Sequence, residues 1–352
     1  MNKIKVLIID DSALTRTILE RIINTDAEIE VVGGATDPIV AAKKIQLLRP
    51  DVITLDIEMP RMNGLVFLKK LMNNSPLPVI IISGNSPKSS TNAIKALELG
   101  ALEIIEKPDI STPEKLSDVS ESICQAIKTS YAASPKNANK PQPAIIPFSP
   151  IISNNSLAKS SKVTIPSNTF FVIGSSTGGP QVLRQIFTQL KASIPGIVVA
   201  QHMPAMFTKS FADRLDMESN IKVVEACNNE RIVNGKAIII PGDYHGYINQ
   251  DKDGFFIELK KTKKVNHHRP SIDVLFDSAA KVAGKKASGI ILTGMGGDGA
   301  KGLLQLYERG AITIAQDEAS SVVFGMPKRA VDLGGARHVK SPTEIIQIIN
   351  EI

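Results

Sequence analysis

The stretch Lys5-Val6-Leu7-Ile8-Ile9-Asp10-Asp11 joins a short apolar run to a pair of acids. Apolar runs of this length, rich in β-branched residues, are typical of strands buried on both faces of a parallel sheet. Four more runs follow, at Glu30–Gly33, Val52–Leu55, Val79–Ile82 and Leu102–Ile105. Amphipathic stretches alternate with them, so we predict a doubly wound, flavodoxin-like parallel sheet of five strands in residues 1–125.

The composition changes between residues 129 and 168, where Ser, Pro, Asn, Ala and Lys predominate and no acidic residue occurs. Six prolines make a helix improbable there. We therefore predict a flexible linker over 129–168, which joins the first domain to a second domain at 169–352.

Alternation resumes in the second domain, which we predict to be α/β with a mainly parallel sheet. The predicted strands are Thr169–Ile173, Gly196–Ala200, Lys222–Glu225, Ala237–Ile240, Gly289–Leu292 and Ala311–Ala315. The predicted helices are Pro180–Leu190, Ile272–Ala283, Ala300–Glu308 and Thr343–Ile349. Runs at Gly246–Asn249 and Phe255–Leu259 flank Asp253-Gly254, which indicates a β-hairpin.

Composition and charge exclude several classes of protein. Of the 352 residues 43% are hydrophobic and 22% charged, as in folded soluble proteins. The net charge of +6 is uneven, since residues 1–125 carry a net −3 and residues 126–352 a net +9. The second part is therefore expected to favour an acidic partner. Two cysteines without CxxC spacing exclude a disulfide scaffold and a thiolate zinc site, and with no signal peptide or membrane anchor expected, we predict a cytoplasmic protein.

Polar residues follow the strands of the first domain at their carboxyl ends, where ligands bind in doubly wound sheets. Asp10 and Asp11 end the first strand, Asp56 the third and Ser83 the fourth, and Lys107 follows the fifth. Three carboxylates together favour a cation, and oxygen ligands suit Mg²⁺. Ser83 and Lys107 can bind phosphate oxygens, which leaves Asp56 as the acceptor of a phosphoryl group.

These residues resemble the response-regulator receiver domains. The resemblance is carried by Asp10-Asp11-Ser12, Asp56-Ile57-Glu58-Met59-Pro60, Asn63-Gly64, Ser83 and Lys107-Pro108. It implies phosphorylation of Asp56, with Mg²⁺ bound by Asp10, Asp11 and Asp56. Receivers usually carry a switch aromatic three residues before the lysine, and this sequence has Ile104 there.

In the second domain, Gly174-Ser175-Ser176-Thr177-Gly178-Gly179 lies between a predicted strand and a helix and satisfies G-x-S-x-G at Ser176. An isolated match to G-x-S-x-G more often marks a helix N-cap and a tight turn than a catalytic serine. A nucleophilic hydroxyl also needs a base and an orienting acid. His202 follows the next predicted strand and would lie at the same edge if the strands are neighbours, whereas His267-His268 are predicted to form a solvated face.

The third part of this pattern is Thr293-Gly294-Met295-Gly296-Gly297-Asp298-Gly299, again between a strand and a helix. Its G-x-G-x-x-G spacing, with Asp317 further on, keeps a dinucleotide site open as an alternative. Two points count against a dinucleotide site. Asp298 would place a carboxylate where the pyrophosphate should bind, and the motif comes late in its domain rather than at the first strand-to-helix turn. The presence of Asp298 is better explained if this residue is the acid that orients His202 than if the motif binds a dinucleotide.

The order Ser176, His202, Asp298 and the flanking motifs resemble the chemotaxis protein-glutamate methylesterases. The further matching segments are Gln201–Pro204, Arg269–Phe276, Leu292–Gly299, Gln316–Glu318 and Ser321–Pro327. The resemblance implies a hydrolase that removes methyl groups from receptor glutamates and also deamidates receptor glutamines. It implies Ser176 as nucleophile, His202 as base, Asp298 as orienting acid, and Met295 with Thr177 at the oxyanion hole.

The same resemblance implies control by phosphorylation. The unphosphorylated receiver would cover the esterase cleft, and a chemotaxis histidine kinase would be the phosphodonor. The partners expected are the cytoplasmic helices of chemoreceptors, on which the lysine run Lys260–Lys264 could dock, with no nucleic acid and no membrane insertion. Two alternatives remain: a receptor-binding regulator without catalysis, and a transcription regulator, although no helix-turn-helix pattern is evident.

Overall fold

The computed structural model describes residues 3–59, 63–84, 86–108, 113–134 and 169–352, with the side chains of 113–118 left out. The chain divides into two compact units, Met1–Pro147 and Phe148–Ile352. Within the described ranges, no helix combines the length and the apolar character needed to cross a bilayer.

The first unit is the predicted five-stranded parallel sheet, with strand order β2-β1-β3-β4-β5. Its strands are β1 Ile4–Ile9, β2 Ile29–Ala35, β3 Val52–Leu55, β4 Val79–Ser83 and β5 Glu103–Glu106. Its helices are α1 Ala13–Ile23, α2 Pro38–Leu48, α3 Gly64–Asn74, α4 Pro87–Glu98 and α5 Pro113–Ala132. The three central strands β1, β3 and β4 are almost wholly buried, as their continuous apolar runs predict, whereas the edge strand β2 is mostly half-buried.

The predicted start of the linker, at residue 129, is wrong because helix α5 extends beyond it. The helix continues to Ala132, so residues 129–132 are helical rather than linker. Thr129 and Ser130 are buried, and the Thr129 hydroxyl donates to the Gln125 carbonyl one turn earlier. Small polar residues resemble a linker in sequence but fit equally well on the inner face of a helix. The predicted linker from 135 to 168 lies outside the described residues.

The second unit contains a seven-stranded sheet of order β15-β14-β13-β6-β7-β10-β8, in which all neighbours are parallel. Its strands are β6 Phe170–Ser175, β7 Ile197–Gln201, β8 Lys222–Glu225, β10 Lys236–Ile239, β13 Ala287–Ile291, β14 Thr313–Gln316 and β15 His338–Lys340. A smaller antiparallel sheet consists of β9 Glu230–Arg231, β11 His245–Asp251 and β12 Gly254–Lys260. The predicted hairpin is therefore confirmed, with β9 added at its edge.

The helices of this unit include two that we did not predict. They are α6 Gly179–Phe187, α7 Ala205–Glu218, α8 Ile272–Val282, α9 Ala300–Glu308, α10 Met326–Asp332 and α11 Pro342–Asn350. The unpredicted α7 buries Phe207, Phe211 and Leu215, whose spacing of four residues is a helical signal present in the sequence. The unpredicted α10 is only seven residues long.

The position of β6 determines where a ligand can bind. The chain runs from β6 to β7 on one side and later returns to β13 on the other side, so the strand order reverses at β6. In open α/β sheets, ligands bind beyond the carboxyl ends of the strands at such a switch point. The residues that follow β6, β7 and β13 therefore lie where a site is expected.

Candidate active site

Ser176 lies in the turn between β6 and α6. Ser175 ends β6 directly opposite Gln201 at the end of β7, so Ser176 and His202 leave the sheet side by side. The Ser176 N–H donates to the Thr293 carbonyl at 3.0 Å, and the Ser176 carbonyl accepts from the Gly179 N–H at 2.7 Å. The first bond holds the serine against the loop after β13, and the second closes the turn into α6.

Gln201 is a structural residue of the site to which our sequence analysis assigned no role. Its buried amide Nε2 donates to the carbonyls of both Ser176 and His202 at 3.0 Å, and its Oε1 accepts from the Ser175 hydroxyl at 2.6 Å. One side chain thus ties together the backbones of the serine and the histidine. A Cβ at Gly179 would lie 2.4 Å from Gln201 Oε1, which explains the glycine there.

The predicted serine, histidine and acid form one continuous chain of contacts. His202 Nδ1 lies 3.2 Å from Ser176 Oγ, and His202 Nε2 lies 2.9 Å from Asp298 Oδ2. Because the ionised carboxylate only accepts, Nε2 carries the ring proton and donates it. Nδ1 is then left as an acceptor for the serine hydroxyl. In the chymotrypsin type of triad, Nε2 faces the serine and Nδ1 faces the acid, whereas in this protein Nδ1 faces Ser176 and Nε2 faces Asp298. Either arrangement leaves one ring nitrogen able to accept the serine proton.

Asp298 is buried and receives several donors besides His202. Its Oδ1 accepts from the hydroxyl of Ser271 and the amide of Asn266, both at 2.7 Å, and its Oδ2 accepts from the Ile272 N–H at 2.7 Å. Burial alone would raise the pKa of Asp298, but His202, Asn266 and the Ile272 N–H outweigh burial and hold that pKa well below its ordinary value. The carboxylate therefore stays an anion.

His268 contradicts our prediction that His267-His268 form a solvated face. The His268 ring stacks on the His202 ring, with centroids 3.6 Å apart and an interplanar angle of 12°. Burial, together with the neighbouring His202, lowers the pKa of His268 to about 3, so the ring is neutral near pH 7. The basic composition of the surrounding loop suggested exposure, and no local sequence signal indicated this long-range contact.

The predicted oxyanion residues lie next to the serine in different ways. Thr177 follows Ser176 in the chain, is buried, and accepts from the Thr293 hydroxyl through its carbonyl at 3.0 Å. Met295 follows Gly294, where an added Cβ would lie only 2.7 Å from Ser176 Cβ. The loop after β13 therefore passes within van der Waals contact of Ser176, and the oxyanion role of Met295 and Thr177 remains a prediction.

The geometry disfavours the dinucleotide alternative. The Asp298 carboxylate accepts from His202 and from the start of α8, so a buried anion lies two residues before α9, the helix whose N-terminus would have to bind pyrophosphate. Asp317, the candidate ribose ligand, instead accepts from the N–H of Ser320 in a local turn. The G-x-G-x-x-G spacing is explained by packing, since Gly294 lies against Ser176 and Gly299 (φ +88°) precedes α9.

A second cluster, in the first unit, consists of the three predicted carboxylates. Asp10, Asp11 and Asp56 each present an oxygen within 4.8 Å of the others, a donor set that fits Mg²⁺. Lys107 Nζ lies 2.7 Å from Asp56 Oδ2 and 3.0 Å from Asp10 Oδ2. Burial and the nearby Asp56 raise the pKa of Asp10 despite Lys107, which is the effect expected where carboxylates crowd together.

The remaining predicted residues of this cluster lie at the same sheet edge. Ser83 ends β4 beside β5 and is buried, and its carbonyl accepts from the Lys107 N–H at 2.8 Å. Ile104 is buried in β5. Pro60, the last residue of the motif that begins at Asp56, lies outside the described residues.

Comparison with known families covers both units. The model for "CheB methylesterase" matches residues 171–349, and the model for "Response regulator receiver domain" matches residues 6–119. The structure of the Thermotoga maritima CheB methylesterase catalytic domain is similar to 53% of this chain and all of that chain, with 41% identity and a TM-score of 0.51.

Curated relatives match nearly the full length. A protein-glutamate methylesterase/protein-glutamine glutaminase 1 of Pseudomonas savastanoi pv. phaseolicola is 44% identical over 99% of this chain and 98% of its own length. A protein-glutamate methylesterase/protein-glutamine glutaminase of Salmonella typhimurium is also 44% identical, over 99% of this chain and 96% of its own.

Proposed function

This chain belongs to the CheB methylesterase family and carries a response-regulator receiver domain, and from that premise we propose how it works. It is a phosphorylation-controlled serine hydrolase that demethylates glutamate methyl esters on chemoreceptors and deamidates receptor glutamines. The observation that best supports the assigned roles is the contact chain from Ser176 Oγ through His202 to Asp298.

The first half of the reaction forms an acyl-enzyme. Ser176 Oγ attacks the γ-carbonyl carbon of the ester as its proton passes to His202 Nδ1. The resulting imidazolium is stabilised by the Asp298 anion, which takes no proton itself because its pKa is so low. The oxyanion forms beside the Met295 N–H, with Thr177 as a second donor. His202 Nδ1–H then protonates the departing oxygen, and methanol leaves.

The second half of the reaction regenerates the serine. His202 Nδ1 takes a proton from water, whose oxygen attacks the acyl carbon and forms a second tetrahedral oxyanion. Collapse of this species returns the proton from His202 Nδ1 to Ser176 Oγ and releases the glutamic acid side chain, which ionises to the carboxylate and gives its proton to solvent. A glutamine substrate follows the same path, with ammonia as the first product, because ester and amide pass through similar oxyanions.

The receiver supplies the control. We propose Asp56 as the phosphorylated residue, a chemotaxis histidine kinase as phosphodonor, and Lys107 with Ser83 as ligands of the phosphoryl oxygens. Asp10, Asp11 and Asp56 would hold Mg²⁺, which when bound neutralises charge on the transferring phosphoryl group. Phosphorylation would also remove the direct Lys107–Asp56 contact by placing phosphoryl oxygens between these groups.

The test is methanol release from methylated receptor membranes, with and without a small-molecule phosphodonor. Wild type should release methanol faster with phosphodonor, Ser176→Ala should release none, and Asp56→Asn should keep only the basal rate. Release that survives Ser176→Ala would refute the triad. An Asp56→Asn variant that still responds to phosphodonor would refute the regulatory assignment. No release from wild type with a cognate receptor would favour the regulator without catalysis.

A further inference from the structure

The loop between β12 and α8, residues 261–271, is called the support loop here. It contributes Asn266 and Ser271 to Asp298, and His268 to the face of His202. We infer that His268 is a positioning residue, whose stacked ring holds the plane of the His202 imidazole while leaving the ring edge free to exchange protons. This inference rests on the proposed role of His202 as the general base.

The two hydrogen-bond contacts of His202 leave one motion uncontrolled. Ser176 Oγ lies 3.2 Å from Nδ1 and Asp298 Oδ2 lies 2.9 Å from Nε2, so both contacts are made at the ring edge. Such contacts resist sliding of the ring, but they hardly resist a tilt about the line that joins the two nitrogens. A flat group 3.6 Å above the ring, at 12°, opposes that tilt.

A stacked neighbour also suits the reaction. His202 must take a proton from Ser176 and then deliver it to an oxygen or nitrogen a short distance away. Stacking permits small movements within the ring plane, which this delivery requires. The His268 pKa of about 3 keeps that ring neutral at working pH, so it adds no positive charge beside the imidazolium.

The support loop is built to hold His268 in place. Val265 and His268 exchange backbone hydrogen bonds of 3.1 and 2.9 Å, which close a two-residue turn. Asn266 and His267 within it both have positive φ, 52° and 67°, a conformation uncommon for residues other than glycine. Such a turn persists only where the surrounding structure stabilises it.

A fully buried histidine anchors the base of the loop. His245 Nδ1 accepts from the Ser271 N–H at 3.1 Å, so its Nε2 carries the proton and donates to the Lys263 carbonyl at 3.0 Å. Burial lowers the pKa of His245, which favours this neutral form. The two ends of the support loop are thereby joined through one imidazole.

The test compares His268→Phe and His268→Ala, with His267→Ala as the matched control because His267 is the exposed neighbour in the same turn. Phosphodonor-activated methanol release should show kcat about 10-fold lower in His268→Ala with KM within about twofold, since misplacement of a catalytic group lowers the rate of the chemical step. His268→Phe should keep kcat within about threefold and retain the wild-type pH profile, because His268 does not titrate near neutrality.

A second readout does not depend on activity. In histidine-labelled protein, the His202 ring-proton resonance should lie upfield in wild type and His268→Phe relative to His268→Ala, because a stacked ring shields it. Thermal unfolding of each variant checks that the fold survives. Wild-type kcat in His268→Ala would overturn the inference, and so would a His268→Phe variant as slow as His268→Ala. If wild type itself were inactive, the proposed function would fail, and equal resonances in wild type and His268→Ala would separately refute the stack.

Discussion

The backbone N–H of Ile272 donates to Asp298 Oδ2 at 2.7 Å, and the same oxygen accepts from His202 Nε2. Ile272 is the first residue of α8, and the preceding N-cap residue, Ser271, makes no side-chain bond to its own helix. Asp298, from a distant loop, satisfies a donor that a helix start normally leaves unpaired. One carboxylate therefore both stabilises a helix terminus and orients the histidine.

This dual role predicts an acid-dependent loss of stability. The pKa of Asp298 is depressed in the folded state, so its contribution to the free energy of unfolding is full above the unfolded pKa of about 4 and is lost as the pH falls toward the folded pKa. The difference in that free energy between wild type and Asp298→Asn should therefore shrink by about 1 kcal/mol from pH 5 to pH 3. Urea unfolding followed by circular dichroism measures it, and a constant difference would contradict the prediction.

Asn266 is predicted to matter because its uncharged amide stabilises two neighbouring carboxylates by hydrogen bonding. Its amide donates to Asp298 at 2.7 Å and to Asp273 at 2.8 Å, so it separates two carboxylates. Asn266→Asp would bring a third carboxylate to them, and kcat should fall about 10-fold because the orienting acid is disturbed. Asn266→Gly is the matched control, because glycine tolerates the positive φ while only the amide is lost. Equal kcat in the two variants would show that charge is not the cause.

Gly294 is predicted to be irreplaceable for a steric reason. A Cβ at this position would lie 2.5 Å from Met326 Sδ and 2.7 Å from Ser176 Cβ. Gly294→Ala should displace the serine, lower kcat at least 10-fold and reduce stability by about 1–3 kcal/mol. Gly297→Ala tests the same loop more mildly, because its Cβ would meet only the flexible Arg329 side chain at 3.2 Å. Near-wild-type activity in Gly294→Ala would rule out this close approach.

The support loop also carries lysines predicted to attract an acidic receptor helix. Lys260, at the end of β12, pairs with Glu258 at 2.9 Å, and Lys261 pairs with Asp243 at 2.5 Å. Both lysines are exposed, as are Lys263 and Lys264 in the support loop. The double change Lys263→Glu/Lys264→Glu should raise KM for receptor membranes several-fold at low salt, and less at high salt, because exposed charges are screened.

The control for this prediction is Lys285→Glu/Lys286→Glu. These exposed lysines follow the C-terminal end of α8, whereas Asp298 caps its start, and 11 helical residues span roughly 16 Å. Their reversal changes the net charge equally and should leave KM close to wild type. Equal increases in KM for both pairs would mean that overall charge is responsible, not this loop.

Much of the fold could be predicted from the sequence because the signals are local. The runs before Asp10 and Ser176 are continuous and apolar, as strands covered on both faces require, and β6, β7 and β13 all begin within two residues of their predicted positions. The errors of the prediction, at the end of α5 and at the short strands β9 and β15, also had local causes. The last turn of α5 resembled a linker because its inward residues are small and polar, and β9 and β15 are only two and three residues long.

The apolar runs and the motifs at their ends were enough to predict two α/β domains and to propose Ser176, His202 and Asp298 as site residues, because a motif at a strand end specifies both a residue and the sheet edge where it lies. The surroundings of these residues could be seen only in the folded chain: Gln201 between two backbone carbonyls, Asp298 at the start of α8, and His268 on the face of His202. The difference is one of distance along the chain. These contacts join residues far apart in the chain, and their partners are set by strand order and loop path, which no local spacing encodes.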